Sequence, residues 1–396
     1  MRYTIGQLAE IIDGDRGKNY PKQDEFYPQG YCLFLNTGNV TKEGLIFEEN
    51  QFIMKEKDEA LRKGKLKRGD IVYTTRGTVG NAGYYNSSVP YENVRINSGM
   101  VILRANGKIV DARFLYQILK SEYYRPYFKQ YCTGSAQPQL PIKNFSQIYL
   151  NVPDIKTQHR IADILSVYDD LIENNQKQIK LLEEAAQRLY KEWFVDLHFP
   201  GHENTKIVDG VPEGWNEKTL SQVANVIMGQ SPKSEFYNSE KKGLPFHQGV
   251  GSYGVRFVMD DIYSTSYTRI AEPNSILFSV RAPVGRLNIT KNKVVIGRGL
   301  AAINQTDGCQ SYLYYLLKNK FFKDNIVGNG SIFASVSKDE LLNQKFLIPE
   351  RNLMMQFEKI VSQMDKQIEN LDSKNKKLIE ARDRLLPKLM SGEVEV

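Results

Sequence analysis

The sequence is poor in cysteine and histidine, and both shortages exclude chemistry. Its three cysteines, Cys32, Cys132 and Cys309, stand at irregular spacing. They offer neither a disulfide framework nor a thiolate metal site, and they fit a reducing, cytoplasmic compartment. Of the four histidines, His198 and His202 are four residues apart, but Pro200 and Gly201 between them break the helical geometry of a zinc pair, so no metal is expected. No stretch of about eighteen apolar residues occurs, and the N-terminal MRYTIGQLAEIIDGDRGK lacks an apolar core with a small-residue cleavage site. Neither a membrane partner nor secretion is therefore expected. There is no Pro-Pro pair, hence no Asp/Asn-Pro-Pro-Tyr/Phe motif of an amino-methyltransferase. The stretch from Gly14 to Lys18 is too short for a GxxxxGK[ST] phosphate loop and is not followed by Ser or Thr. The expectation is a chain with no catalytic residues and no cofactor of its own.

What is present is ample material for more than one core. A chain of 396 residues, 41% hydrophobic and 25% charged, reads as a soluble globular protein of two or more domains. The net charge of +7, from 53 basic against 46 acidic residues, favours a polyanionic partner without requiring one.

The chain is written twice. YTIGQLAEIIDG (residues 3–14) matches KTLSQVANVIMG (218–229), with Gln7/Gln222, Ala9/Ala224 and Gly14/Gly229 identical. IVYTTRGTVG (71–80) matches ILFSVRAPVG (276–285), aligning Arg76 with Arg281 and Gly80 with Gly285. TGSAQPQLPIKNFSQIYLNVP (133–153) matches NGSIFASVSKDELLNQKFLIP (329–349), and that offset of 196 then continues without gaps.

The segments that follow read as long helices, from Thr157 to about Trp193 and from about Leu353 to Leu389. In the first, Ile161, Ile164, Leu165, Tyr168, Leu171, Ile172, Ile179, Leu182, Ala186, Leu189 and Trp193 recur at three- and four-residue steps. Phe357, Ile360, Val361, Met364, Ile368, Leu371, Leu378, Ala381, Leu385 and Leu389 do the same in the second. About 37 residues at about 1.5 Å each make a rod of roughly 55 Å, which needs a partner helix. The two copies would most simply pair antiparallel, as a short coiled coil with Asn175, Gln178, Gln367, Lys374 and Asn375 at or beside the seam. Pro153-Asp154 and Pro349-Glu350 precede the two helices, where an acidic residue suits a helix N-terminus.

Domain limits follow: 1–153 and 213–349 as two mixed α/β domains, 154–197 and 350–396 as the long helices, and 198–212 as a turn-rich, aperiodic link. The fold class is α+β, a tandem repeat of two mixed α/β domains separated by two long helices in an antiparallel coiled coil. Reading DNA needs basic groups for phosphates and hydrogen-bonding side chains for base edges. TTRGTVG supplies Thr75 and Arg76, SVRAPVGR supplies Arg281 and Arg286, and the turns TGSAQPQL and NGSIFASVS supply Gln137, Gln139 and Ser331. A loop arginine is as often an ion-pair partner, and such turns are often plain connections. The copies agree in framework and differ in their middles, as two heads reading different sequences would.

The order of these parts resembles the DNA specificity subunits of Type I restriction-modification systems. The resemblance spans the chain and is most specific in IADILSVYDDLIENNQKQIKLLEEAAQRLYKEWFVD, FPGHENTKIVDGVPEGW and the terminal RLLPKLMSGEVEV, with GQSPKSEFYN and GLPFHQG opening the second domain. It implies a cytoplasmic subunit that binds double-stranded DNA, reading half of a bipartite target with each domain. It also implies docking to two methyltransferase subunits and to restriction/translocase subunits. S-adenosylmethionine would sit in the modification subunit, which methylates adenine N6, and ATP and Mg in the restriction subunit. The helix pair would act as a ruler setting the gap between half-sites. Two other readings stay open: a non-DNA coiled-coil scaffold, and the specificity subunit of a modification-only system. An autonomous nuclease is disfavoured by the missing motifs.

Overall fold

The computed structural model describes residues 1–134, 137–321 and 335–395. The chain forms two compact units, Met1–Gln176 with Asp372–Val396, and Lys177–Leu371. Each unit therefore takes half of each long helix, where the sequence suggested globular domains ending before the helices begin.

In the first unit the chain runs β1 (Arg2–Thr4), α1 (Ile5–Leu8), β2 (Ala9–Asp13), β3 (Cys32–Leu35), β4 (Phe52–Ile53), α2 (Lys55–Ala60), β5 (Ile71–Thr74) and β6 (Ala82–Tyr84). It continues through β7 (Val94–Ile96), β8 (Met100–Ala105), α3 (Ala112–Lys120), α4 (Arg125–Lys129), α5 (Ile142–Ser146) and β9 (Tyr149–Asn151) into the long helix α6 (Ile155–Phe194). An antiparallel four-stranded sheet, β2-β8-β5-β6, lies beside a three-stranded one, β4-β3-β7, in which β3 and β7 are parallel. The period-2 alternation of strands explains why the four-stranded sheet is buried on both faces. Ile71, Tyr73, Val101 and Leu103 pack with Phe114, Phe145 and the helices, while Val72, Met100 and Ile102 pack with Leu33, Leu35 and Ile96 of the smaller sheet.

The link after α6 is less irregular than its composition suggested. It holds a small hairpin, β10 (Ile207–Val208) with β11 (Val211–Pro212), and Phe199 and Trp215 at its ends enter the second unit's core. That unit continues with β12 (Asn216–Thr219), α7 (Leu220–Val223), β13 (Ala224–Met228), β14 (Tyr237–Asn238), β15 (Leu244–His247), β16 (Tyr263–Ser264) and β17 (Ile270–Ala271). Then follow β18 (Ile276–Ser279), β19 (Leu287–Ile289), β20 (Val294–Ile296), β21 (Leu300–Gln305), α8 (Gln310–Phe321), α9 (Lys338–Leu342), β22 (Lys345–Ile348) and α10 (Arg351–Ser391). Its sheets, β13-β21-β18-β19 and β14-β16-β15-β20-β17, repeat the plan of the first unit, down to the parallel pair β15 and β20.

Within each unit the two helices run antiparallel. In the first, Ile161 and Leu165 share a core with Leu386 and Leu389, Arg382 Nη1 donates to Asp169 Oδ1 at 2.7 Å, and Asn175 Nδ2 donates to Asn375 Oδ1 at 2.8 Å. In the second, Tyr190 and Trp193 meet Phe357 edge-on with ring centroids 6.0 Å apart. Ile172, Ile179, Phe357, Val361 and Ile368 are buried, and Tyr168, Leu182, Leu189, Met364, Leu371, Leu378 and Leu385 are half-buried. Ile164, Leu171, Ile360 and Ala381, assigned to the same apolar face, are exposed. Each half-helix has one partner helix and one domain face to pack on, so apolar residues just outside that arc stay in solvent. Asp154 caps α6, accepting the N–H groups of Lys156 and Thr157, which is the role assigned to it from its place before a helix.

Candidate nucleic-acid interface

In each unit the loops at one end of the sheets are tied together by backbone hydrogen bonds, and the arginine turn lies among them. In the first, the N–H groups of Thr75 and Arg76 donate to Gly99 O at 2.9 and 3.1 Å, and Leu140 N–H donates to Thr75 O at 2.9 Å. Thr133 and Gln139 exchange N–H···O bonds of 2.7 and 2.8 Å. The Arg76 turn, the Asn97–Gly99 turn and the paired residues Thr133 and Gln139 thus form one cluster. Arg76, Gln137 and Gln139 present exposed side chains there. Thr75 does not: it is buried, and its hydroxyl donates to Gly99 O at 3.2 Å, so it builds the turn.

The second unit repeats the arrangement. Val280 N–H donates to Gly299 O and Val336 N–H to Val280 O, at 2.9 and 2.8 Å, and Arg281 is bridged to Ser335. Exposed Arg281 lines an open cleft of about 170 Å³ with Gln248, Gly249, Val250, Ser279, Ala282 and Gly299, none of them acidic. Arg286 is not among these; it is half-buried just before β19, its carbonyl accepting the Ser279 N–H at 2.9 Å and its own N–H donating to Ser279 Oγ at 2.8 Å. Ser331 lies outside the described residues.

Three residues that the sequence did not single out join these clusters. Arg16 reaches Ser98 O at 3.2 Å in the first unit, and Gln248 and exposed Arg298 occupy the second. The available signal for Arg298 was a cation between two glycines, Gly297 and Gly299. The backbone behind the cleft is held by fully buried His247, whose Nδ1 lies 2.9 Å from Ser252 Oγ and Nε2 3.1 Å from Asp260 Oδ1. In the first unit a carboxylate does similar work. Asp15 accepts the N–H groups of Gly17 and Arg62, both at 2.7 Å. Burial would raise its pKa, but these bonds and the Arg62 guanidinium outweigh it and hold the carboxyl at about 2.

Both heads are anchored to the helices by buried ion pairs. Asp169 accepts from Gln117 Nε2 at 2.6 Å, Lys120 Nζ at 3.1 Å and Arg382 Nη1 at 2.7 Å. Burial works against its charge, yet Lys120 and Arg382 keep its carboxyl below the usual carboxylate range. The equivalent Asp365 pairs with Arg256 at 2.6 Å, and that guanidinium also lies 3.7 Å over the Tyr314 ring. Among the described residues, no group of three or more His, Cys, Asp or Glu that could hold a metal ion is gathered.

A family model for the Type I restriction modification DNA specificity domain matches residues 1–184 and again 212–381. The chain is 29% identical to a protein of Methanocaldococcus jannaschii named as the MjaX type I restriction enzyme specificity subunit, over 100% of this chain and 94% of the relative. It is 25% identical to the HindI specificity subunit of Haemophilus influenzae, over 98% and 100% of the respective chains. The crystal structure of a Type I restriction-modification S subunit from M. genitalium shares the fold, with a TM-score of 0.54 at 18% identity, covering 98% of this chain and 95% of that one.

Proposed function

Because this chain belongs to the Type I restriction modification DNA specificity family, we propose that its two loop clusters are the reading heads for the two halves of a bipartite DNA target. The observation that carries this is the recurrence of one exposed arginine, Arg76 and Arg281, on the same turn of a duplicated scaffold whose surrounding loops differ. A shared frame with different surfaces is what two heads addressing different sequences require. Arginine in such a turn can donate bidentately to guanine O6 and N7, and Gln137, Gln139 and Gln248 can pair with adenine. The chain contributes recognition, and the chemistry belongs to its partners. Two modification subunits dock on the long helices and hold S-adenosylmethionine for adenine N6 transfer. Restriction subunits, where they join, bring ATP and Mg. The assembly works in the cytoplasm, and the helices set the gap between half-sites.

The test is to co-express the chain with its cognate modification subunit in a host free of DNA methylation and to map modified adenines by single-molecule sequencing. The expected result is a split motif with an unread gap of fixed length. No modification by an assembled complex with an active partner would overturn the reading.

A further inference from the structure

The outward face of α10 has a property its sister helix lacks. Positions 352, 356, 359, 363, 366, 370, 374, 377, 381, 384 and 388 recur at three- and four-residue steps and are all exposed. Six are cations (Lys359, Lys366, Lys374, Lys377, Arg384 and Lys388), four are amides and one is alanine; none is acidic. The six Asp and Glu of α10 all lie off this face. Lys388 pairs with Glu393 at 2.8 Å, while the other five cations have no ion pair or hydrogen bond among the described residues.

The repeat supplies an internal control. The same face of α6, displaced by 196 residues, is likewise exposed throughout, but it carries Asp163, Asp170 and Glu192 together with Val167 and Leu181. Folding and solubility are thus met by a mixed face, and they do not account for an acid-free row of unpaired cations.

We propose that this face of α10 is a sequence-independent DNA contact, holding backbone phosphates of the unread spacer between the half-sites. It rests on the reading of the chain as a bipartite DNA reader. Lysines and amides are the side chains that contact phosphates without reading bases. Protein interfaces are built on buried apolar or aromatic anchors and are depleted in lysine, and this face has no such anchor. Ile164, Val167 and Leu171, exposed on α6, have that other character.

The experiment uses the full chain assembled with its modification subunit, bound to a duplex carrying the mapped target, with affinity followed from about 50 to 200 mM salt. Removing one cation from a phosphate makes the slope of log K against log salt shallower by about 0.9. The combined variant Lys359→Gln, Lys366→Gln, Lys374→Gln, Lys377→Gln, Arg384→Gln should lower the slope by about four to five units and leave motif, gap and partner stoichiometry unchanged. Lys156→Gln with Arg188→Gln on the α6 face should leave the slope as it is. If the combined variant does not fold, Lys374→Gln/Lys377→Gln and Lys359→Gln/Lys366→Gln tested separately should each lower it by about two units. An unchanged slope in an assembled complex overturns the proposal, as does a folded variant that no longer assembles with its partner, which would make the face a protein surface. A wild-type complex that binds DNA without sequence preference overturns the functional reading, and this proposal with it.

Discussion

Several residues repeated between the two halves are explained by backbone geometry. Gln7 and Gln222 each accept the N–H of the residue three before them, Thr4 and Thr219, at 2.8 Å, closing the capping boxes of α1 and α7. Gly14 and Gly229 repeat because a Cβ there would stand 2.3 and 2.1 Å from the carbonyl oxygens of Asn97 and Gly297. Arg76 and Arg281 have no such backbone reason. Arg76→Ala should relax base discrimination at one half-site and Arg281→Ala at the other, by about 1–3 kcal/mol each if they pair with guanine. Methylation mapping of the two variants checks this; equal weakening over all sequences would instead mark phosphate contacts. Asp15 makes a pH prediction. Its folded pKa of about 2 lies below an unfolded value of about 3.9, so its contribution is present above the unfolded pKa and is lost as pH falls through the folded one. Asp15→Asn should therefore be less stable than wild type at pH 7, and thermal unfolding should show that deficit closing as the pH falls from about 4 to about 2.

At the scale of the element, the long helices carry polar residues inside their seam. Asn375 pairs with Asn175 and also donates to Ile172 O at 3.5 Å. Asn375→Ala, which leaves a partly buried amide unpaired, should cost about 1–3 kcal/mol in denaturant unfolding. Replacing Asn175 and Asn375 together by leucine should recover that loss or exceed it, because an apolar seam is more stable than a polar one that sets register. The ion-pair anchors differ in kind. Asp169→Asn leaves buried Lys120 without a carboxylate, while Arg382 keeps Asp383 at 2.9 Å, and should destabilise by about 3 kcal/mol in denaturant unfolding. Periodicity showed that the helices exist and nearly where they end. It did not show that Ile164, Leu171 and Ile360 face solvent, since a three- and four-residue repeat defines a stripe without saying how wide an arc is covered.

At the scale of the whole molecule, the proposed ruler makes a metric prediction. Seven residues added to each long helix lengthen it by about 10 Å, which corresponds to about three base pairs of spacer. Methylation mapping should find both half-sites intact and the gap longer by that amount; an unchanged gap would defeat the ruler. The duplication, the two long helices and the arginine turn were legible from the chain alone, because self-similarity and helical period are local patterns that need no knowledge of what packs where. Which side chains complete the anchors was not. Asp169 and Asp365 are equivalent in sequence, yet one meets Arg382 of a helix, 213 residues away, and the other Arg256 of a loop, 109 residues away. A buried carboxylate requires a cation, but any cation the fold brings within reach will serve, so only the tertiary structure decides which one it is.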